Sequence, residues 1–111
     1  MTREFIYTKP FRRAWEAMGL FDGDLKRLEE ILLANPLTGD VIQGTGGARK
    51  MRISLEYNAK GKSGGARVIY VDIFEKEKLY LLFAYPKSVR DDLTESQKQT
   101  IKSLIEAIKK E

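Results

Sequence analysis

The apolar residues of this chain recur with two different spacings, and the changes between them mark its elements. Phe5, Ile6 and Tyr7 cluster between Arg3 and Thr8, which predicts a short opening strand that stops at Pro10. Pro10 suits the first turn of a helix, where its missing N–H has no intrahelical partner to lose. Phe11, Ala14, Trp15 and Met18 then recur at helical spacing on one face, and Gly19 fits a left-handed stop. A second helix is expected to begin after Asp22 or Asp24, either of which can accept from free first-turn amides. It turns Leu25, Leu28, Ile31 and Leu32 inward and ends at Asn35 and Pro36. The stretch from Leu37 to Ala48 has too many glycines and polar residues for regular structure and reads as a loop.

From Arg49 the period becomes two. Met51, Ile53 and Leu55 point one way, while Lys50, Arg52, Ser54 and Glu56 point the other. One side of this strand meets a core and the other carries cations. A basic loop is expected from Asn58 to Gly65. Arg67 to Phe74 follows as a more deeply buried strand, given β-branched character by Val68, Ile69, Val71 and Ile73. A polar turn over Glu75–Lys78 leads to a third strand, Leu79 to Tyr85, and short connections favour an antiparallel meander. Thr94 with Gln97 three residues on has capping-box spacing. It opens a last helix to Glu111, with Ile101, Leu104, Ile105 and Ile108 on one stripe and Lys109 and Lys110 at its negative end. The pattern predicts an α+β fold in which two N-terminal helices and a C-terminal helix cover one face of a small, mainly antiparallel sheet.

Composition adds boundaries to this picture. With 111 residues, 42% of them hydrophobic, residues 1–111 are expected to form a single domain with one core. The absence of cysteine and histidine excludes disulfides, thiol nucleophiles, the usual zinc ligands and the usual neutral-pH acid and base, so no metal and no cofactor is expected. No h-region opens the chain, and its longest apolar runs fall well short of the ~20 residues that span a bilayer, so a cytoplasmic protein without membrane contact is expected.

Charge is what turns the reading toward function. Between Gly44 and Tyr70, Arg49, Lys50, Arg52, Lys60, Lys62 and Arg67 face one acid, Glu56, so this glycine-rich window carries +5 while the whole chain carries +4. Positive charge concentrated in this way gathers phosphate-binding donors on one surface. Gly61-Lys62-Ser63 is not a phosphate loop, because that motif needs a glycine where this chain has Glu56 and a strand-to-helix setting. The strand Arg67–Phe74 lacks the stacked aromatics of an RNA-recognition motif. A meander can instead bring Lys50, Arg52, Lys62, Arg67 and Lys87 to one open surface, against the simpler alternative of a solvated face whose lysines discourage aggregation. Arg67 fits that alternative least, since an arginine heading an apolar strand is costly unless paired or kept for an anionic ligand. The pairs Gly46-Gly47 and Gly64-Gly65 permit close backbone approach to phosphate or serve plain turn geometry. Phe11 and Trp15 read as core residues; Tyr70 and Tyr85 can each present a hydroxyl to the groove, but as strand tyrosines they read as packed through their rings.

Three ordered segments, GDVIQGTGGARKMRI, GKSGGARVIY and YLLFAYPKSVRDDL, resemble successive motifs of the RelE/HigB-like toxins of bacterial type II toxin–antitoxin systems. The likeness spans Leu28 to Ile108 and is nearest to the HigB-type branch. It implies the RelE-like fold and a small mRNA interferase that enters the ribosomal A site, cleaves translated mRNA and is neutralised by a cognate helix-turn-helix antitoxin, meeting DNA only through that complex. Carried over by position, the family's basic groove falls on Lys50 and Arg52, on Lys62 and Arg67, and on Lys87, with Arg49 and Lys60 as further RNA or ribosome contacts. The chain departs from the family at Pro86, Lys87 and Ser88, where relatives usually show Ala-Lys-Asn.

That activity needs no histidine. RNA supplies the nucleophile, its 2′-hydroxyl, and the enzyme has to align it, assist proton removal and stabilise phosphorane charge. The expected roles are transition-state stabilisation by Arg67 and backbone clamping by Lys50 and Arg52. Lys62 or Lys87 acts as base only if crowded cations depress its pKa below the usual ~10.4. Two other readings use the same basic surface: a noncatalytic nucleic-acid-binding or transcription co-regulatory module, and a gyrase inhibitor like the ParE toxins.

Overall fold

Thr8 shows how the first turn of the chain is fixed. Its Oγ1 accepts from the Phe11 N–H at 3.3 Å, capping the helix, and its hydroxyl lies 3.0 Å from the carbonyls of Leu81 and Leu82. The computed structural model, which describes residues 2–20, 22–54, 65–87 and 93–111, has the element order β1 (Glu4–Tyr7), α1 (Lys9–Ala17), α2 (Asp22–Ala34), β2 (Asp40–Val41), β3 (Arg49–Ile53), β4 (Ala66–Ile73), a 3₁₀ turn (Phe74–Lys76), β5 (Lys78–Pro86) and α3 (Glu95–Lys110). The strands form one sheet in the order β1-β5-β4-β3-β2. All neighbours are antiparallel except β1 and β5, which run parallel. The fold is α+β, and β3-β4-β5 is the expected meander.

The helices pack on both faces of the sheet, not on one. Phe11 and Trp15 of α1, stacked at 5.2 Å, join Leu28 and Leu32 of α2 over Met51, Ile53, Val68, Tyr70, Leu79 and Leu81. Ile105 and Ile108 of α3 cover Ile69, Val71, Ile73, Tyr80 and Leu82 on the opposite side. The reason lies in β4, whose alternate residues are both apolar, so each face needs its own cover. Leu104, expected on the buried stripe of α3, is instead 39% exposed at its rim. The capping box of Thr94 and Gln97 is formed in full, and Lys76 donates to the carbonyls of Ile108 and Glu111 at the other end. No described helix is long and apolar enough to cross a membrane.

The expected loop from Leu37 to Ala48 contains a strand. Asp40 and Val41 pair with Lys50 and Arg49 as β2, and the hairpin turn that follows is closed by Thr45, whose hydroxyl donates to Ile42 O at 2.6 Å and accepts from Ala48 N at 3.1 Å. Gly44, Gly46 and Gly47 all have positive φ within this turn, so here the glycines serve turn geometry. Two side chains tether the approach to β2. The buried Tyr70 hydroxyl donates to Pro36 O at 2.8 Å and accepts from Gly39 N at 2.9 Å, while Arg49 donates to Gly39 O at 2.7 Å. Gly39 sits so close that a Cβ there would lie 2.8 Å from Lys50 O.

A β-bulge decides which way the end of β5 faces. Ile69 pairs with Phe83 but Tyr70 pairs with Leu81, leaving Leu82 as an extra residue. Before the bulge Leu79 and Leu81 face α1 and α2; after it Ala84 does, and Phe83 and Tyr85 turn toward the α3 side.

Candidate nucleic-acid interface

On the α3-facing side of the sheet, beyond the part that α3 covers, the register sets two rows of side chains across three strands. Arg52 of β3 lies opposite Arg67 of β4, which lies opposite Tyr85 of β5. The adjacent row is Lys50, Ile69 and Phe83. Neighbouring strands stand ~4.8 Å apart, so the two arginines leave adjacent backbones side by side. Like charges directly opposite each other destabilise a strand pair. The register thus gathers two guanidinium groups on one face of the sheet.

The arginine row opens at the edge of the sheet. Because β2 is only two residues long, β3 beyond Lys50 has no outer strand among the described residues, and a groove of about 520 Å³ runs there. Its walls include Lys50, Arg52 and Arg67 together with Asp40, Thr38 and Ile31 of α2. Arg67 reaches it although the residue is only 5% exposed, whereas Arg52 is exposed and Lys50 half-buried. A volume of this size lies within the range of small-ligand sites.

The seven residues expected at the site are not all gathered by this groove. Lys50, Arg52 and Arg67 line it together. Arg49 shares the side of β3 occupied by Met51 and Ile53, and its guanidinium is spent on the carbonyls of Gly39 and, at 3.4 Å, Leu37. It positions the strand that borders the groove and does not share the Lys50–Arg52 face. Lys87 follows Pro86, which opposes Ala66; its N–H donates to Gly65 O at 3.1 Å, and its exposed side chain is not part of the groove wall. Lys60, Lys62 and Ser88 lie outside the described residues, as does most of the expected basic loop.

Asp40 belongs to the groove wall without having been anticipated there. It sits in a segment with no periodicity, so nothing in the sequence marks the face it occupies. Tyr85, weighed from the sequence as a hydroxyl for the groove or a ring in the core, is buried in the α3-side core and is not among the residues that line the groove. It reaches the arginine row only through the bulge. Tyr70 is likewise committed to the core, on the other face: burial pushes its hydroxyl above the usual tyrosine pKa, against the opposing influence of the Gly39 N–H and the Arg49 charge.

No known family model matches the chain. Solved structures do. A double arginine-to-alanine mutant of the Escherichia coli toxin RelE in the free state aligns over 95% of this chain and 98% of that one, with a TM-score of 0.54 at 15% identity. The isolated E. coli RelE toxin aligns over 93% and 99%, with a TM-score of 0.50 at 16% identity. The fold is that of RelE. At these identities the likeness is one of backbone architecture, and the roles of Arg67, Arg52 and Lys50 rest on their own geometry and chemistry.

Proposed function

We propose that this chain is the toxin of a type II toxin–antitoxin pair of the HigB-type branch, a cytoplasmic ribosome-dependent endoribonuclease that cleaves translated mRNA and is neutralised by a cognate antitoxin. The observation that carries the reading is the direct opposition of Arg52 and Arg67 in a groove that also holds Lys50, on a RelE fold. Three cations and the Asp40 carboxylate give this concavity a net charge that opposes the extra negative charge of a phosphodiester entering its transition state.

In this reading the RNA 2′-oxygen forms a bond to the adjacent phosphorus, the bond from phosphorus to the 5′-oxygen breaks, and the products are a 2′,3′-cyclic phosphate and a 5′-hydroxyl. Arg67, held rigidly by its place in β4, stabilises the extra charge on the phosphorane. Lys50 and Arg52 clamp the strand. Lys62 and Lys87 are the candidates for moving the protons, and the ribosome completes the site by aligning the mRNA.

The test is expression without antitoxin, with new mRNA 5′ ends mapped by primer extension, with and without blocked translation, beside Arg67→Ala. Cuts within reading frames that require translation and fall by about 10²-fold or more in the variant are expected. Growth arrest with intact mRNA, or cuts undiminished in Arg67→Ala, would refute the assignment.

A further inference from the structure

The groove does not end at Lys50. A second concavity of about 320 Å³ continues from it, sharing Asp40 and Lys50, and is bounded by Ile42 and Gln43 on one side and by Leu93 and Lys98 at the start of α3 on the other. The two meet on the same face of the sheet, because Asp40 lies directly opposite Lys50 and Ile42 follows it by two residues. We infer that this concavity is a subsite for the nucleotide flanking the cleaved phosphate, resting on the RNA reading of the first groove.

Each part of the wall has a counterpart in a nucleotide. Ile42 and Leu93, both packed against the α3 core, give a base an apolar surface. Gln43 and Asp40 offer a donor and acceptors to base edges and ribose hydroxyls. Lys50 and Lys98 stand at its two ends, where successive phosphates of an extended strand would pass. The phosphate path continues to Lys102. The stems of both α3 lysines run beside the glycine turn: a Cβ at Gly44 would touch Lys98 Cδ at 3.9 Å and one at Gly46 would touch Lys102 Cγ at 3.8 Å. The two lysines are one helical turn apart, ~6 Å along the axis. Lys98 lies 3.6 Å from Glu95, whose side chain is 88% exposed, a solvent-screened pair that a phosphate can displace.

The opposing explanation is a solvated helix face whose lysines add only to net charge, and the same helix supplies the control. Lys109 and Lys110 lie at its far end. Anisotropy titrations would use 2′-O-methyl oligoribonucleotides, which cannot be cleaved, of about two and about six nucleotides, over a range of salt. With the longer one, Lys98→Gln/Lys102→Gln should lower the slope of log affinity against log salt by about 1.4, from about 0.7 per phosphate contact on a single strand. Lys109→Gln/Lys110→Gln should not change that slope, and the shorter one should show no difference between proteins. Equal slopes for the Lys98/Lys102 variant and the native chain, or an equal fall in the Lys109/Lys110 variant, would overturn the subsite and leave the first groove standing. Failure of the native chain to bind either oligonucleotide would likewise overturn the subsite, while the cleavage reading stands or falls on the translation-dependent cuts.

Discussion

Replacing Tyr70 with phenylalanine removes one oxygen and tests how the border of the groove is held. The ring is fully buried, and its hydroxyl serves Pro36 O at 2.8 Å and Gly39 N at 2.9 Å, both also buried. Without it an acceptor and a donor lose this partner inside the protein, at about 1–3 kcal/mol for each group left unsatisfied. Phenylalanine keeps the packing, so the expected loss is about 2–6 kcal/mol, a large share of the 5–15 kcal/mol typical of a domain. In urea, with a slope near ~1.5 kcal/mol/M, the midpoint should fall by roughly 1.3–4 M with the slope unchanged. Linkage gives a second signature. Burial raises the Tyr70 pKa above its ordinary 10.0, so the native state disfavours the phenolate. The stabilisation is complete below pH 10.0 and is lost as pH rises through the raised native value, and phenylalanine cannot titrate. The gap between native chain and variant should therefore narrow above that pH. A midpoint shift below about 0.5 M at unchanged slope, or a gap that widens at high pH, would refute the claim that Tyr70 fixes this segment.

Gly39→Ala must push its new methyl against Lys50 O at 2.8 Å, where backbone has to move; a loss of about 1–3 kcal/mol in urea denaturation is expected. Arg49→Ala and Arg52→Ala should separate structure from binding: the first lowers the denaturation midpoint and leaves the salt dependence of RNA binding alone, and the second does the reverse. Glu29 has its carboxyl pKa raised by burial, so its contribution favours the fold below about pH 4.5 and is lost as pH rises through the raised value. Glu29→Gln should accordingly raise the midpoint at pH 7 and make no difference at pH 3, measured by the same denaturation.

How far the sequence leads depends on whether a segment's own spacing decides its surroundings. In α1, α2 and α3 the apolar stripe places the helices, and Thr94 caps α3 as its spacing indicates; the Thr8 cap of α1 went unread, and Asp22 and Asp24 lie in the first turn of α2 instead of preceding it. Alternation in β3 likewise puts Lys50 and Arg52 on one face and Met51 and Ile53 on the other. The pattern is silent where every position is apolar. From Leu79 to Tyr85 alternation cannot reveal an inserted residue, so the bulge at Leu82 and the turn of Tyr85 toward Arg67 follow only from pairing with β4. The apolar run of β4 calls for cover on both faces, but it does not say which helix covers which face or how far along it. The two-residue strand β2 has no period at all. It exists because Tyr70, Arg49 and the bare Cα of Gly39 draw the chain onto β3. Three features that pairing alone decides surround the site: among the described residues β2 ends early along β3, α3 covers only part of its face, and the bulge sets Tyr85 opposite Arg67. The cations were readable because charge clusters along the chain, but the concavity that gives them a common target is a product of tertiary pairing.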